Sequence, residues 1–121
     1  MKELTTKEEE VMRHFWQEGA LFVRQLVEMY PEPKPHFNTL STYVRMLEDK
    51  GFLSHESLGA TYRYFPIIDE AQYRNGNLKN VVRKYFDNSY LNVVSTLIKE
   101  KDLSVEEVRK LLDEVEKQSP K

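Results

Sequence analysis

Apolar positions recur at helical spacing in the first third of the chain, change to alternation once, and return to helical spacing. Val11, Met12, Phe15 and Trp16 fall three and four apart, the signature of one helix face, over 5–17. Thr5 precedes Glu8 by three residues, the spacing of a reciprocal cap, with Leu4 just outside and Gly19 as a stop. Val23, Leu26 and Val27 predict a second helix over 23–30, and Ala20 to Phe22 suits one short strand. The PEPKP segment at 31–35 cannot continue a helix, because proline lacks an amide donor. A third helix follows, with Asn38 as its cap, Leu40, Tyr43 or Val44, and Leu47 as its buried stripe, and Gly51 just past its end.

Beyond Gly51 the pattern predicts a two-stranded hairpin over 52–57 and 60–65, turning at Gly59. A lone hairpin is barely stable, so this one must lean on the helices before it. From Asp69 onward only helix signals remain. One helix starts at 69 or 75 and ends at 86, another covers 89–100, and the last begins at Ser104, with Glu107 at capping distance. The SPK tail is expected to fray. The fold class expected is mainly α with a small β-hairpin, divided into a unit over 1–66 and a helical region over 67–121. A region of that size makes a poor core alone. Its apolar faces therefore close against a second copy or pack on the first unit of the same chain. In the first case Leu78, Val82, Tyr85, Phe86, Leu91, Val94, Ile98, Val108, Leu111, Leu112 and Val115 form a homodimer seam.

Composition narrows the chemistry. With no cysteine, a disulfide scaffold, a thiol nucleophile and a thiolate metal site are excluded. Three histidines without HxxxH or HExxH spacing argue against a zinc enzyme, and no GxxxxGK or GxGxxG loop is present. No metal, cofactor or catalytic residue is expected. The start, MKELTTKEEE, is too acidic for a signal peptide, and no apolar run is long enough to span a bilayer. A cytoplasmic protein without direct membrane insertion is the expectation.

The net charge of -2 does not exclude a DNA reader, because the local field depends on where the charges sit. No acid occurs over 33–47, where Lys34, His36 and Arg45 stand, and none over 57–68, which holds Arg63. On the third helix Asn38, Thr39, Ser41, Thr42 and Arg45 lie off the apolar stripe. Such short polar side chains let a helix enter a major groove, where asparagine can pair with adenine and arginine with guanine or phosphate. An ordinary solvated helix face is the competing reading. His36, entering this helix, suits a phosphate contact; His14 reads as structural and His55 as solvated. Phe15, Trp16 and Phe22 read as core anchors rather than a ligand pocket, and Tyr85, Phe86 and Tyr90 as core or seam.

The segments LTTKEEEVMRHFW, VRQLVEMYPE, FNTLSTYVRMLEDKGFL and GATYRYFPII, followed by FDNSYLNVVSTLIKEKDLSVEEVRKLLDEV, resemble the penicillinase-repressor family of winged-helix regulators. That family includes the repressors of β-lactamase and methicillin-resistance genes and copper-responsive relatives. The resemblance covers about residues 3–117. It implies a cytoplasmic homodimeric repressor that binds double-stranded DNA at an inverted-repeat operator. Asn38, Thr39, Ser41, Thr42 and Arg45 would stand on the recognition helix, and Ser57, Thr61 and Arg63 on the wing. The copper-responsive members use a cysteine-rich C-terminus, for which this chain has no ligands. The antibiotic-responsive members are cleaved after a membrane-bound sensor protease detects a β-lactam. The matching bond here lies near Thr96 and Leu97, where the family's asparagine is missing. A winged-helix adaptor that binds protein instead of DNA is the alternative.

Overall fold

Thr5 begins the first element in a reciprocal cap. Its hydroxyl accepts the Glu8 amide at 3.1 Å, and the Glu8 carboxylate accepts the Thr5 amide at 2.8 Å. Two amides that a helix start would leave unpaired are thereby satisfied. In the computed structural model, which describes residues 2–118, helix α1 runs Thr6–Glu18. The tail expected to fray, at 119–121, lies outside the described residues.

Strand β1 (Leu21–Phe22) and helix α2 (Val23–Glu28) follow. Helix α2 stops before the expected residue 30. The amides of Met29 and Tyr30 turn back to Leu26 and Val27 at 3.1 and 3.2 Å, the tight bonds that close a last turn. Helix α3 covers Phe37–Asp49. Asn38 is not its cap: His36 Nδ1 accepts the Asn38 amide at 3.0 Å, which places Asn38 inside the first turn. At the other end Gly51 adopts φ +85°. The amides of Gly51 and Phe52 bond to Glu48 and Leu47 carbonyls at 3.0 and 2.9 Å, a Schellman closure. Phe52 is thus engaged with the helix, and the first hairpin strand starts one residue later than expected.

Strands β2 (Leu53–Leu58) and β3 (Thr61–Pro66) form the hairpin, which closes at the Leu58–Thr61 pair. Strand β1 pairs antiparallel with the other edge of β3, Leu21 opposite Tyr64, giving the order β1-β3-β2. Met12 and Phe15 from α1, Leu26 from α2, Leu47 from α3, and Phe52 and Leu53 entering β2 are buried together. Glu8, 3% exposed, is the one charged residue among the buried groups described. Burial alone would raise its pKa. The Lys50 ammonium at 2.7 Å and the hydrogen bonds to Thr5 outweigh that, so the carboxyl sits below its ordinary value.

Helix α4 (Glu70–Phe86) starts where Asp69 and Gln72 exchange hydrogen bonds of 2.8 Å, not at 75. The Trp16 indole donates to the Ile68 carbonyl at 2.9 Å, and the Tyr73 hydroxyl donates to the Glu9 carboxylate. The Tyr73 ring meets Phe52 edge-on at 5.5 Å. These contacts carry the first compact unit past residue 66 to Gly76, and the second begins at Asn77, within α4.

The second unit contains helices α5 (Tyr90–Lys99) and α6 (Val105–Gln118). Ser89 caps α5 by accepting the Asn92 amide at 3.1 Å, and Ser104 and Glu107 cap α6 reciprocally at 3.0 and 2.9 Å. Neither helix has a buried residue. Leu91 is 83% exposed, and Leu111, Leu112 and Val115 are each more than half exposed. Val82 departs from expectation. At 1% exposure it is already buried within the chain and has no surface to offer a second copy. Among the described residues no helix is long and apolar enough to cross a membrane.

Candidate nucleic-acid interface

Burial of Leu40, Val44 and Leu47 fixes which way α3 faces. Its exposed side carries Asn38, Thr39, Thr42 and Arg45, with Ser41 half-buried beside them. The Thr42 hydroxyl donates to the Asn38 carbonyl at 3.0 Å, leaving its lone pairs as acceptors toward solvent. Because His36 Nδ1 accepts an amide proton, Nε2 carries the N–H of the neutral ring. That donor stands at the exposed entrance to α3.

Two of the expected cations are engaged elsewhere. The Lys34 ammonium donates to the Glu28 and Tyr30 carbonyls at 3.1 and 2.6 Å, so it closes the end of α2 instead of projecting from the surface. Arg63 Nε donates to Glu56 at 2.8 Å, and a second guanidinium nitrogen donates to the same carboxylate. Glu56 faces Arg63 across the hairpin, a pairing that a run of acid-free sequence conceals. His55 is also not simply solvated: its Nδ1 lies 2.6 Å from a Glu48 carboxylate oxygen, and its ring stacks on Tyr62 at 4.2 Å.

The structure separates Thr39 from Arg45. Thr39 lines a groove with Tyr30, Tyr43 and the proline-rich connection. Burial and the neighbouring Glu10 carboxylate push the Tyr30 phenol up to about 12. On the other side of α3, Arg45 and Ser41 line a cleft of about 330 Å³ that reaches β3 and the start of α2. Phe22, Phe37 and Tyr62 wall it, Thr61 stands at the hairpin side, and Arg24 joins it from α2. Among the described residues no acidic one lines it. Among the described residues Arg24 and Arg45 have no ion-pair partner. Tyr64, in the same wall, has its pKa raised by burial and by Glu48, with the Arg45 charge opposing.

Arg24 gives no sign of this position in the sequence. It stands between Glu18 and Glu28 along the chain, so a running charge count hides it. Ser57 and Thr61 are exposed near the hairpin tip, where the Thr61 hydroxyl donates to the Leu58 carbonyl at 3.2 Å.

In the second unit Leu78, Tyr85, Leu91, Leu111, Leu112 and Val115 are exposed, while Phe86, Val94, Ile98 and Val108 are half-buried. Val81, Tyr90 and Val105 belong with the exposed set. Thr96 and Leu97 lie inside α5, and their carbonyls accept the Glu100 and Asp102 amides, each at 2.9 Å. A protease that needs an extended substrate would have to unwind this last turn.

The family described as penicillinase repressor matches residues 4–117. The methicillin resistance regulatory protein MecI of Staphylococcus aureus (strain N315) is 23% identical over 112 residues, covering 90% of this chain and 89% of that protein. The penicillinase repressor of Bacillus licheniformis is 23% identical over 110 residues, covering 90% and 86%. The solution structure of the DNA binding domain of the repressor BlaI superposes with a TM-score of 0.51 at 27% identity, over 60% of this chain and 94% of that one. The architecture is a winged helix-turn-helix followed by a helical region. The chain belongs to the penicillinase repressor family of winged-helix transcriptional regulators, a family of repressors rather than enzymes.

Proposed function

We propose that the protein is a cytoplasmic transcriptional repressor that binds an inverted-repeat operator as a homodimer. The observation that carries this reading is the exposed face of α3 from Asn38 to Arg45, a stretch without acid that has a hairpin and the unpaired Arg24 beside it. In this reading Asn38 and Thr42 would meet base edges, and His36 and Arg45 the backbone or a base. The apolar faces of α5 and α6, exposed in the single chain, supply the surface for a second copy. MecI and the penicillinase repressor are the relatives from which β-lactam resistance genes enter as the regulated class.

Pairing two readers makes the second half-site contact intramolecular, so the dimer binds far more tightly than either monomer. Control by proteolysis then has a simple logic. A cut near Thr96–Leu97, made after a membrane-bound sensor protease responds to a β-lactam, removes α6 and part of the seam while leaving the reading unit whole. Gel-shift titration of promoter fragments against random duplex tests the repressor reading, and sedimentation tests the dimer. A dimer with no preference for promoter DNA would support an adaptor instead. Immunoblots of β-lactam-treated cells test cleavage: a shortened fragment is expected, and an intact chain during full induction would exclude it.

A further inference from the structure

Three surface features carry clustered polar or charged groups: the groove beside Thr39, the His55–Glu48–Tyr62 stack, and the cleft shared by Arg24 and Arg45. The groove includes Glu10 and Glu32 among its lining residues, which makes it a poor anion site. The stack is satisfied by its own members. The cleft is different, since it gathers cationic groups from separate elements and, among the described residues, no ion pair neutralises them.

We infer that Arg24 and Arg45 together grip the DNA backbone at one phosphate, with the deoxyribose seated between Phe37 and Tyr62. This rests on the repressor reading and assigns Arg45 to the backbone rather than to a base edge. Arg45 faces the cleft between α3 and the hairpin, together with Ser41 and Tyr62. Arg24 reaches the same cleft from α2. Two like charges converging without an acid between them repel each other in the free protein. A phosphate relieves that repulsion and can accept a bidentate fork from each guanidinium. The aromatic rings are half-exposed, Phe37 at 49% and Tyr62 at 51%, and a sugar would cover them. Sequence reading then falls to Asn38 and Thr42, which are exposed on α3 and do not line the cleft.

The test compares the full-length wild type with Arg24→Ala, Arg24→Lys and Arg45→Ala by gel shift, on operator and random duplex, at several salt concentrations. Each alanine variant should lose roughly tenfold in affinity on both duplexes alike. Each should also lower the slope of log K against log salt by about one. Arg24→Lys keeps the slope, because it keeps the charge. Arg24 and Arg45 are exposed, so thermal melting of the variants checks that the fold is intact. A loss confined to the operator would make these base contacts and overturn the inference, as would an unchanged slope in Arg24→Ala or a slope lost in Arg24→Lys. In each of those cases the wild type still binds DNA, and the repressor reading survives. A wild type that prefers no duplex at any salt would end both.

Discussion

Helices α3 and α5 end in the same hydrogen-bonded closure, yet they belong to regions of very different character. After α3 the left-handed residue is Gly51 at φ +85°; after α5 it is Lys101 at φ +64°. The Lys101 and Asp102 amides bond to Ile98 and Leu97 at 3.0 and 2.9 Å, matching the pattern at Gly51 and Phe52. Local capping is therefore equally complete in both regions. What separates them is burial: α3 seals Leu40, Val44 and Leu47, whereas α5 and α6 leave Val94, Ile98 and Val108 only half-buried and bury no residue fully. Good caps start and stop a helix, but apolar burial is what holds it in a tertiary structure. The first unit obtains that burial from its own chain. The second presents apolar faces that the single chain leaves exposed.

The sharpest way to break this contrast is to charge the exposed faces. Replacing Leu111 and Val115 together by Asp is expected to leave the first unit folded, convert the protein to monomers in sedimentation, and weaken operator binding by about a thousandfold through lost avidity. Core truncation separates the regions on stability. Phe52→Ala should cost about 3–5 kcal/mol in denaturant unfolding. Leu91→Ala should cost no more than about 0.5 kcal/mol in the monomeric background, because 83% of Leu91 is already exposed.

A smaller effect tests the buried charge. Lys50→Met leaves Glu8 buried without its cation, and a loss of about 3 kcal/mol at neutral pH is expected. In the wild type the folded pKa of Glu8 lies below the ordinary 4.5. Its stabilising contribution is therefore complete above that pH and is lost as the pH falls through the folded pKa. Unfolding curves between neutral and acid pH should show this loss in the wild type and a flatter profile in Lys50→Met. The smallest change concerns the left-handed position: Lys101→Gly should stabilise the second unit by about 0.5–1 kcal/mol, read as a shift in thermal unfolding. A destabilised variant would show that the Lys101 side chain does more than tolerate its backbone.

Much of the fold was legible because its signals are local. The Thr5–Glu8 and Ser104–Glu107 caps, the Gly51 stop and the Gly59 turn all act within a few residues, and each appears where the spacing placed it. The start of α3 departs from the local expectation because histidine is a less obvious cap than asparagine. The imidazole of His36 accepts the amide that Asn38 was expected to satisfy elsewhere. The candidate site was less legible. Lys34 and Arg63 looked available along the chain, and only folding brings the α2 carbonyls and Glu56 to them.

By itself, the sequence determined the order of elements, their caps and the stripe of α3 that turns inward, since periodicity and capping depend on near neighbours. Only the tertiary structure decided which charges remain unpaired. Arg24 and Arg45 line one cleft because β1 pairs with β3 and carries α2 beside α3. Coulomb interactions follow distance in space, and residues far apart along a chain acquire that distance only when it folds.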